Sequence, residues 1–186
     1  MSGEQKTALS SEIIQKVFQA LSDQLARLGA TGELCLLGGT VMVLAFAAPP
    51  STKDVDTIFQ PAQIIRKAAL SVGEANHLPQ HWLNDVAKGF LSSRHETTQA
   101  GLPQFSNLRL TMPTPEYLLA MKCMASRIGS VEGETDDVAD ILFLIRFMKL
   151  QSAKVVMEIV TAYYPMDKVP VKAQYLVEGL FAEGKV

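Results

Sequence analysis

Residues 34–59, LCLLGGTVMVLAFAAPPSTKDVDTIF, decide the reading of this chain. An apolar run ends at Gly38-Gly39-Thr40, and a second apolar run follows. Pro49-Pro50 stops that second run, because proline cannot donate a backbone hydrogen bond and restricts the residue before it. The chain turns apolar again at Val55, Ile58 and Phe59, with Asp54 and Asp56 at alternate positions beside them. The pattern predicts a strand over 33–37, a glycine break, a buried helix over 40–47 and a second strand over 54–59. Side chains two apart in a strand share a face, so Asp54 and Asp56 point one way and Val55 the other. Two carboxylates that close repel unless a cation lies between them. Mg²⁺ suits such a pair, since it binds through one or two carboxylates and keeps waters and substrate phosphates as its other ligands. An acid pair at an exposed strand end needs no ligand at all, and for the pair taken alone that alternative stays open.

Outward from this stretch, the N-terminal side predicts one amphipathic helix. Ser10 or Ser11 can cap it, Glu12 suits its first turn, and Ile14, Val17, Phe18, Leu21, Leu25 and Leu28 recur at helical spacing up to Gly29. On the C-terminal side, Pro61 opens a helix over 62–74. Residues 76–104 are mixed, with a short helix expected over 82–88. A third strand follows over 108–112. Thr114-Pro115-Glu116 starts the next helix, with a capping threonine, a first-turn proline and an acid at the positive end of the helix dipole. A loop is expected over 129–133. Thr135 or Asp136 then caps a helix over 137–150, and helices over 153–163 and 170–182 complete the chain. Strands interleaved with helices, then helices alone, predict an α/β (α+β) fold: a small mixed sheet flanked by helices over 1–113, and a helical region over 114–186.

Composition bounds the function. Of 186 residues, 48% are hydrophobic and 19% charged, which suits a folded core and excludes a disordered chain. The net charge of −2 supplies no basic field for nonspecific nucleic-acid binding. The two cysteines, Cys35 and Cys123, sit among apolar neighbours without zinc-type spacing, and read as buried thiols in a reducing compartment. The first residues are polar, with no secretory pattern, and the apolar stretch over 34–48 is shorter than the ~20 residues that span a bilayer. A soluble, cytoplasmic protein with no membrane partner is expected. His77, His81 and His95 lack metal-ligand spacing. Tyr163, Tyr164 and Tyr175 read as packing residues, and Met121 and Met124 as core.

Gly38-Gly39-Thr40 between a strand and a helix is a candidate phosphate site. Glycine lets a phosphate approach the backbone, and a helix N-terminus offers free N–H groups. It is neither a Walker motif nor a dinucleotide fingerprint, and a tight β-to-α turn explains the glycines equally well when they are taken alone. Turn and acid pair together are more specific. Strand, GG[ST], helix and a strand bearing D-x-D resemble the nucleotidyltransferase superfamily. The fuller wording, LLGGTVMVLAF then STKDVDTIF, is similar to the abortive-infection (AbiEii, MenA-like) toxin nucleotidyltransferases and their minimal relatives, which read GG[ST] and then R-x-[ST]-x-D-[IV]-D. The arginine of that pattern is absent; Pro50 or Ser51 occupies its place. A second block, TPEYLLAMKCMASR followed by TDDVADILFLI, resembles a basic and acidic helical segment of the same families. HWLNDVAKGF, residues 81–90, is similar to the minimal relatives, less specifically.

The resemblance implies a site and a reaction. Gly38, Gly39, Thr40, Thr52 and Lys53 would bind the nucleotide, and Asp54 and Asp56 would bind Mg²⁺. Lys122 would reach the phosphates, with Arg127, Asp137 and Asp140 lining the site. The reaction would move a nucleotide monophosphate from an NTP to an acceptor hydroxyl on RNA (tRNA among the candidates) or protein, in a toxin–antitoxin setting with a cognate antitoxin. A salt-bridged helix pair joining Lys122 or Arg127 to Asp137 or Asp140 explains the second block without a ligand. The third strand carries no carboxylate, where many active members have one; Asp85, Glu96 and Glu116 are the substitutes available. Two other readings follow: a catalytically degenerate binding module, and an antibiotic adenylyltransferase, whose GGWA and H-x-D-x-D wording is replaced by GGTV and KDVD.

Overall fold

The computed structural model describes residues 8–85, 89, 91–126 and 136–186. It is a mixed α+β fold, as the order of elements predicts. The chain divides into two compact units, one of residues 1–89 and 97–112, the other of residues 90–96 and 113–186.

The first unit holds a five-stranded mixed sheet in the order β5-β4-β2-β7-β6, formed by β2 (Gly32–Leu36), β4 (Val55–Gln60), β5 (Leu83–Asn84), β6 (Thr97–Thr98) and β7 (Leu108–Pro113). Central β2 runs antiparallel to β4, with Leu36 opposite Thr57, and parallel to β7, with Gly32 opposite Leu108. Leu34 and Leu36 are buried on β2, as are Val55 and Phe59 on β4. Helix α1 (Ser11–Arg27) is capped by Ser10, whose hydroxyl accepts the Ile13 N–H at 3.3 Å. It buries Ile14, Val17, Phe18, Leu21 and Leu25, and packs against α3 (Ala62–Ala75). Helix α2 (Gly38–Ala45) lies between β2 and β4 in sequence. Two short strands, β1 (Leu9–Ser10) and β3 (Ser51–Thr52), pair with each other.

The helix expected over 82–88 is corrected: Leu83–Asn84 is strand β5, parallel to β4, and residues 86–88 lie outside the described residues. Tertiary anchoring decides this. Trp82 is buried, its indole N–H donates to the Ala69 carbonyl at 3.0 Å, and its own carbonyl accepts the Val55 N–H at 2.7 Å. That places the next two residues along the β4 edge, where ladder bonds replace a helical turn.

The second unit holds α4 (Pro115–Ala125), α5 (Asp136–Phe147), α6 (Ala153–Tyr163) and α7 (Val171–Ala182), with a 3₁₀ turn at Met166–Lys168. Thr114 caps α4, accepting the Tyr117 N–H at 3.4 Å. Helix α5 ends before the predicted residue 150, because Lys149 takes a left-handed φ of 54° and bonds back to Arg146 while Leu150 bonds to Ile145. The core gathers Leu118, Leu119, Ile141, Leu144, Val156, Val160 and Val177. Tyr117 stacks on Tyr163 at 4.8 Å between ring centroids and accepts the Ser92 N–H at 2.8 Å, while the Ser92 hydroxyl donates to the Tyr163 carbonyl.

Tyr163 and Tyr164 are packing residues, but Tyr175 is 70% exposed, so its expected packing role is corrected. Its helix turns that side outward. Cys123 is buried, whereas Cys35 is only half-buried. Among the described residues no helix is long and apolar enough to cross a membrane.

Candidate active site

In the first unit the glycine turn, the acid pair and Thr52 meet. Helix α2 starts at Gly38, two residues earlier than the sequence predicts, so both glycines belong to its first turn. Gly38 takes a φ of +56°, a conformation that side-chain-bearing residues adopt at a cost. A Cβ at Gly38 would stand 2.7 Å from Asp56 Oδ2, and one at Gly39 would stand 2.8 Å from Thr52 Oγ1. Only glycine lets the turn approach the acid-bearing segment this closely. The residue before the helix, Leu37, gives no side-chain cap, so the first-turn N–H groups lack the usual side-chain oxygen. Leu37 itself is fixed to β4, its N–H donating to the Asp56 carbonyl at 2.8 Å.

Backbone and hydroxyl bonds tie the rest together. Thr40 is fully buried, and its hydroxyl donates to the Asp54 carbonyl at 3.2 Å. The Thr52 hydroxyl donates to the same carbonyl at 3.3 Å. Asp54 stands just before β4 rather than inside it, so the expected strand start is corrected by one residue. The alternation still holds: Asp54 and Asp56 are half-buried, while Val55 and Thr57 are buried. Lys53 is exposed.

Asn84 was not singled out by the sequence. It pairs with Asp56 across the β4–β5 ladder, and its side-chain amide donates to Asp54 Oδ2 at 3.2 Å. Only its place in HWLNDVAKGF pointed to it, and assigning that segment to a helix hid the contact. The neighbouring Asp85 instead accepts from Arg66 at 2.8 Å, so of the substitutes for a third carboxylate it is held by a cation of α3. Glu96 belongs to the second unit, where it accepts from Tyr163 at 2.6 Å and from Arg94 at 2.7 Å. Glu116 lies in the first turn of α4.

The other predicted residues form their own cluster in the second unit. Lys122 is buried on α4, with its ammonium 2.6 Å from Asp140 and 3.4 Å from Asp137, both on α5. The helix-pair salt bridge is therefore present. Arg127 lies outside the described residues, as does the loop expected over 129–133.

A hard divalent cation fits the first cluster on its donor set. Two half-buried carboxylates share one face, and among the described residues the Asp54 carboxylate accepts one hydrogen bond, from a neutral amide. Among those residues no three His, Cys, Asp or Glu side chains come together as a metal cage. A two-carboxylate site therefore needs outside ligands such as water or phosphate oxygens. No family model, no curated protein and no solved structure matches this chain.

Proposed function

We propose that the protein is a Mg²⁺-dependent nucleotidyltransferase of the toxin-like type, moving a nucleotide monophosphate from an NTP to an acceptor hydroxyl on RNA or protein. The observation that carries this reading is the contact of the Gly38-Gly39 turn with Asp56 and Thr52. That contact sets an uncapped helix start, which attracts anions, beside a carboxylate pair, which attracts a cation. An NTP bound with Mg²⁺ satisfies both at once. The first-turn N–H groups of α2 would hold phosphate oxygens, and Thr52 would contact them. Thr40 would act by fixing the Asp54 backbone. Asp54 and Asp56 would hold Mg²⁺, which supplies neutralisation of phosphate charge. In the reaction the acceptor hydroxyl gives up its proton to solvent, its oxygen bonds to the α-phosphorus, the bond from that phosphorus to the bridging oxygen breaks, and pyrophosphate leaves.

The test is transfer of label from each α-labelled NTP, with Mg²⁺ and total RNA, beside Asp54→Asn and Asp56→Asn proteins. Label on RNA or on the protein, lost in both variants, is the expected result. Unchanged labelling in the variants would sink the site. A second reading, a nucleotide-binding module without turnover, is favoured by the amide of Asn84 standing beside Asp54 where a third carboxylate would help. It predicts Mg²⁺-dependent NTP binding with no pyrophosphate release.

A further inference from the structure

We infer that Asn84 is a positioning residue for the cation ligand Asp54, an inference that rests on the reading of Asp54 and Asp56 as a divalent-cation site. Asp54 is the less constrained acid, because it precedes β4 and makes no ladder pair of its own. Its carboxylate needs another element to orient it. β5 provides one: Val55 pairs with Leu83 and Asp56 with Asn84 in parallel register. Paired residues in a parallel ladder turn their side chains to the same face. Asp54, two residues before Asp56, shares that face. The amide of Asn84 reaches Asp54 Oδ2 at 3.2 Å from there, while Asp85, one residue on, turns to Arg66.

The chemistry of the donor matters as much as its position. Lysine or arginine at this place would neutralise Asp54 and compete with a metal. An amide occupies one lone pair and leaves the negative charge intact. Asparagine is also a poor strand residue, so propensity does not explain its presence in β5. Hydrogen bonds of this kind to a liganding carboxylate fix its orientation, and losing one typically weakens metal binding about 10–100-fold.

The experiment is Mn²⁺ binding to the full chain, read from the loss of the free-ion electron paramagnetic resonance signal, with and without a non-hydrolysable NTP analogue. Wild type, Asp54→Asn, Asn84→Ala and Asn84→Lys are compared, with Trp82 fluorescence confirming that each is folded. Binding to wild type, its loss in Asp54→Asn, a 10–100-fold weakening in Asn84→Ala and its abolition in Asn84→Lys are expected. Wild-type affinity in Asn84→Ala, with binding still lost in Asp54→Asn, overturns the positioning role and leaves the cation site standing. Absence of binding by the wild type overturns both. If Asn84→Ala does not fold, Asn84→Ser replaces it and is read by the same criterion.

Discussion

The contact between Gly38 and Asp56 can be measured as a coupling energy. Alanine at Gly38 meets two penalties. Its φ of +56° costs a residue with a side chain about 1–2 kcal/mol. Its Cβ would also stand 2.7 Å from Asp56 Oδ2, inside any real contact distance, and forcing atoms into a filled site costs about 1–3 kcal/mol. Gly29 separates the two effects. It ends α1 with a φ of +64°, yet nothing lies within 4 Å of a Cβ there. Gly29→Ala should therefore cost only the backbone part, and Gly38→Ala roughly 2–5 kcal/mol in all. Removing the obstacle should remove the excess, so in an Asp56→Ala background Gly38→Ala should cost about what Gly29→Ala does, a coupling of about 1–3 kcal/mol. Urea unfolding followed by fluorescence reads this directly, because the single tryptophan, Trp82, is buried in the same unit. Equal costs for Gly38→Ala and Gly29→Ala, or the same cost with and without the Asp56 side chain, would refute the close approach on which the site is built.

Thr40→Val removes a buried hydroxyl that donates to the Asp54 carbonyl, and should cost about 1 kcal/mol in the same unfolding assay while lowering NTP transfer more than stability alone explains. Lys122→Ala removes the buried ammonium that faces Asp140 and Asp137 in the helical unit and should cost about 3–5 kcal/mol, against under about 1 kcal/mol for Asp137→Asn, whose contact is longer and more exposed; unfolding by circular dichroism gives both. Acid should weaken the second unit in two stages. Burial lowers the His95 pKa below its usual 6.5, and hydrogen bonds from Tyr163 and then Arg94 lower that of Glu96 below 4.5, so both groups bind protons more readily when unfolded. Their stabilisation is complete above those values and is lost as pH falls through the folded ones; Tyr163→Phe should flatten the lower stage in a stability-versus-pH series. Burial pushes the Cys123 thiol up to about 12 and raises Cys35 less, so iodoacetamide should label Cys123 only in urea and half-buried Cys35 slowly in the folded protein.

How much of this was legible in the sequence depends on where each contact lies along the chain. Helices α1, α4 and α6 could be read because their signals are local: a capping hydroxyl, a first-turn proline, apolar residues at helical spacing. Strands β2, β4 and β7 could be read because each is a distinct apolar run. The two-residue strands could not, since nothing in Leu83–Asn84 or Thr97–Thr98 distinguishes them from coil until a neighbouring strand offers its hydrogen bonds. The site divides in the same way. Gly38, Asp54 and Asp56 fall within one short segment whose turn and alternation are visible in order. Asn84 enters through a strand pairing thirty positions away in sequence.

That difference bears on what kind of site this is. A lone acid pair at a strand end needs no neighbour chosen for it, and any polar residue could stand opposite. Here the first turn of α2 carries glycine where a Cβ would strike Asp56, and the adjoining strand carries a neutral donor where a cation would quench Asp54. Both features suit a surface that receives a cation with its phosphates, because neither places a competing cation on Asp54. In the helical unit the opposite choice is made: the ammonium of buried Lys122 faces Asp137 and Asp140. In one cluster a carboxylate pair faces a buried ammonium, and in the other Asp54 receives a neutral amide.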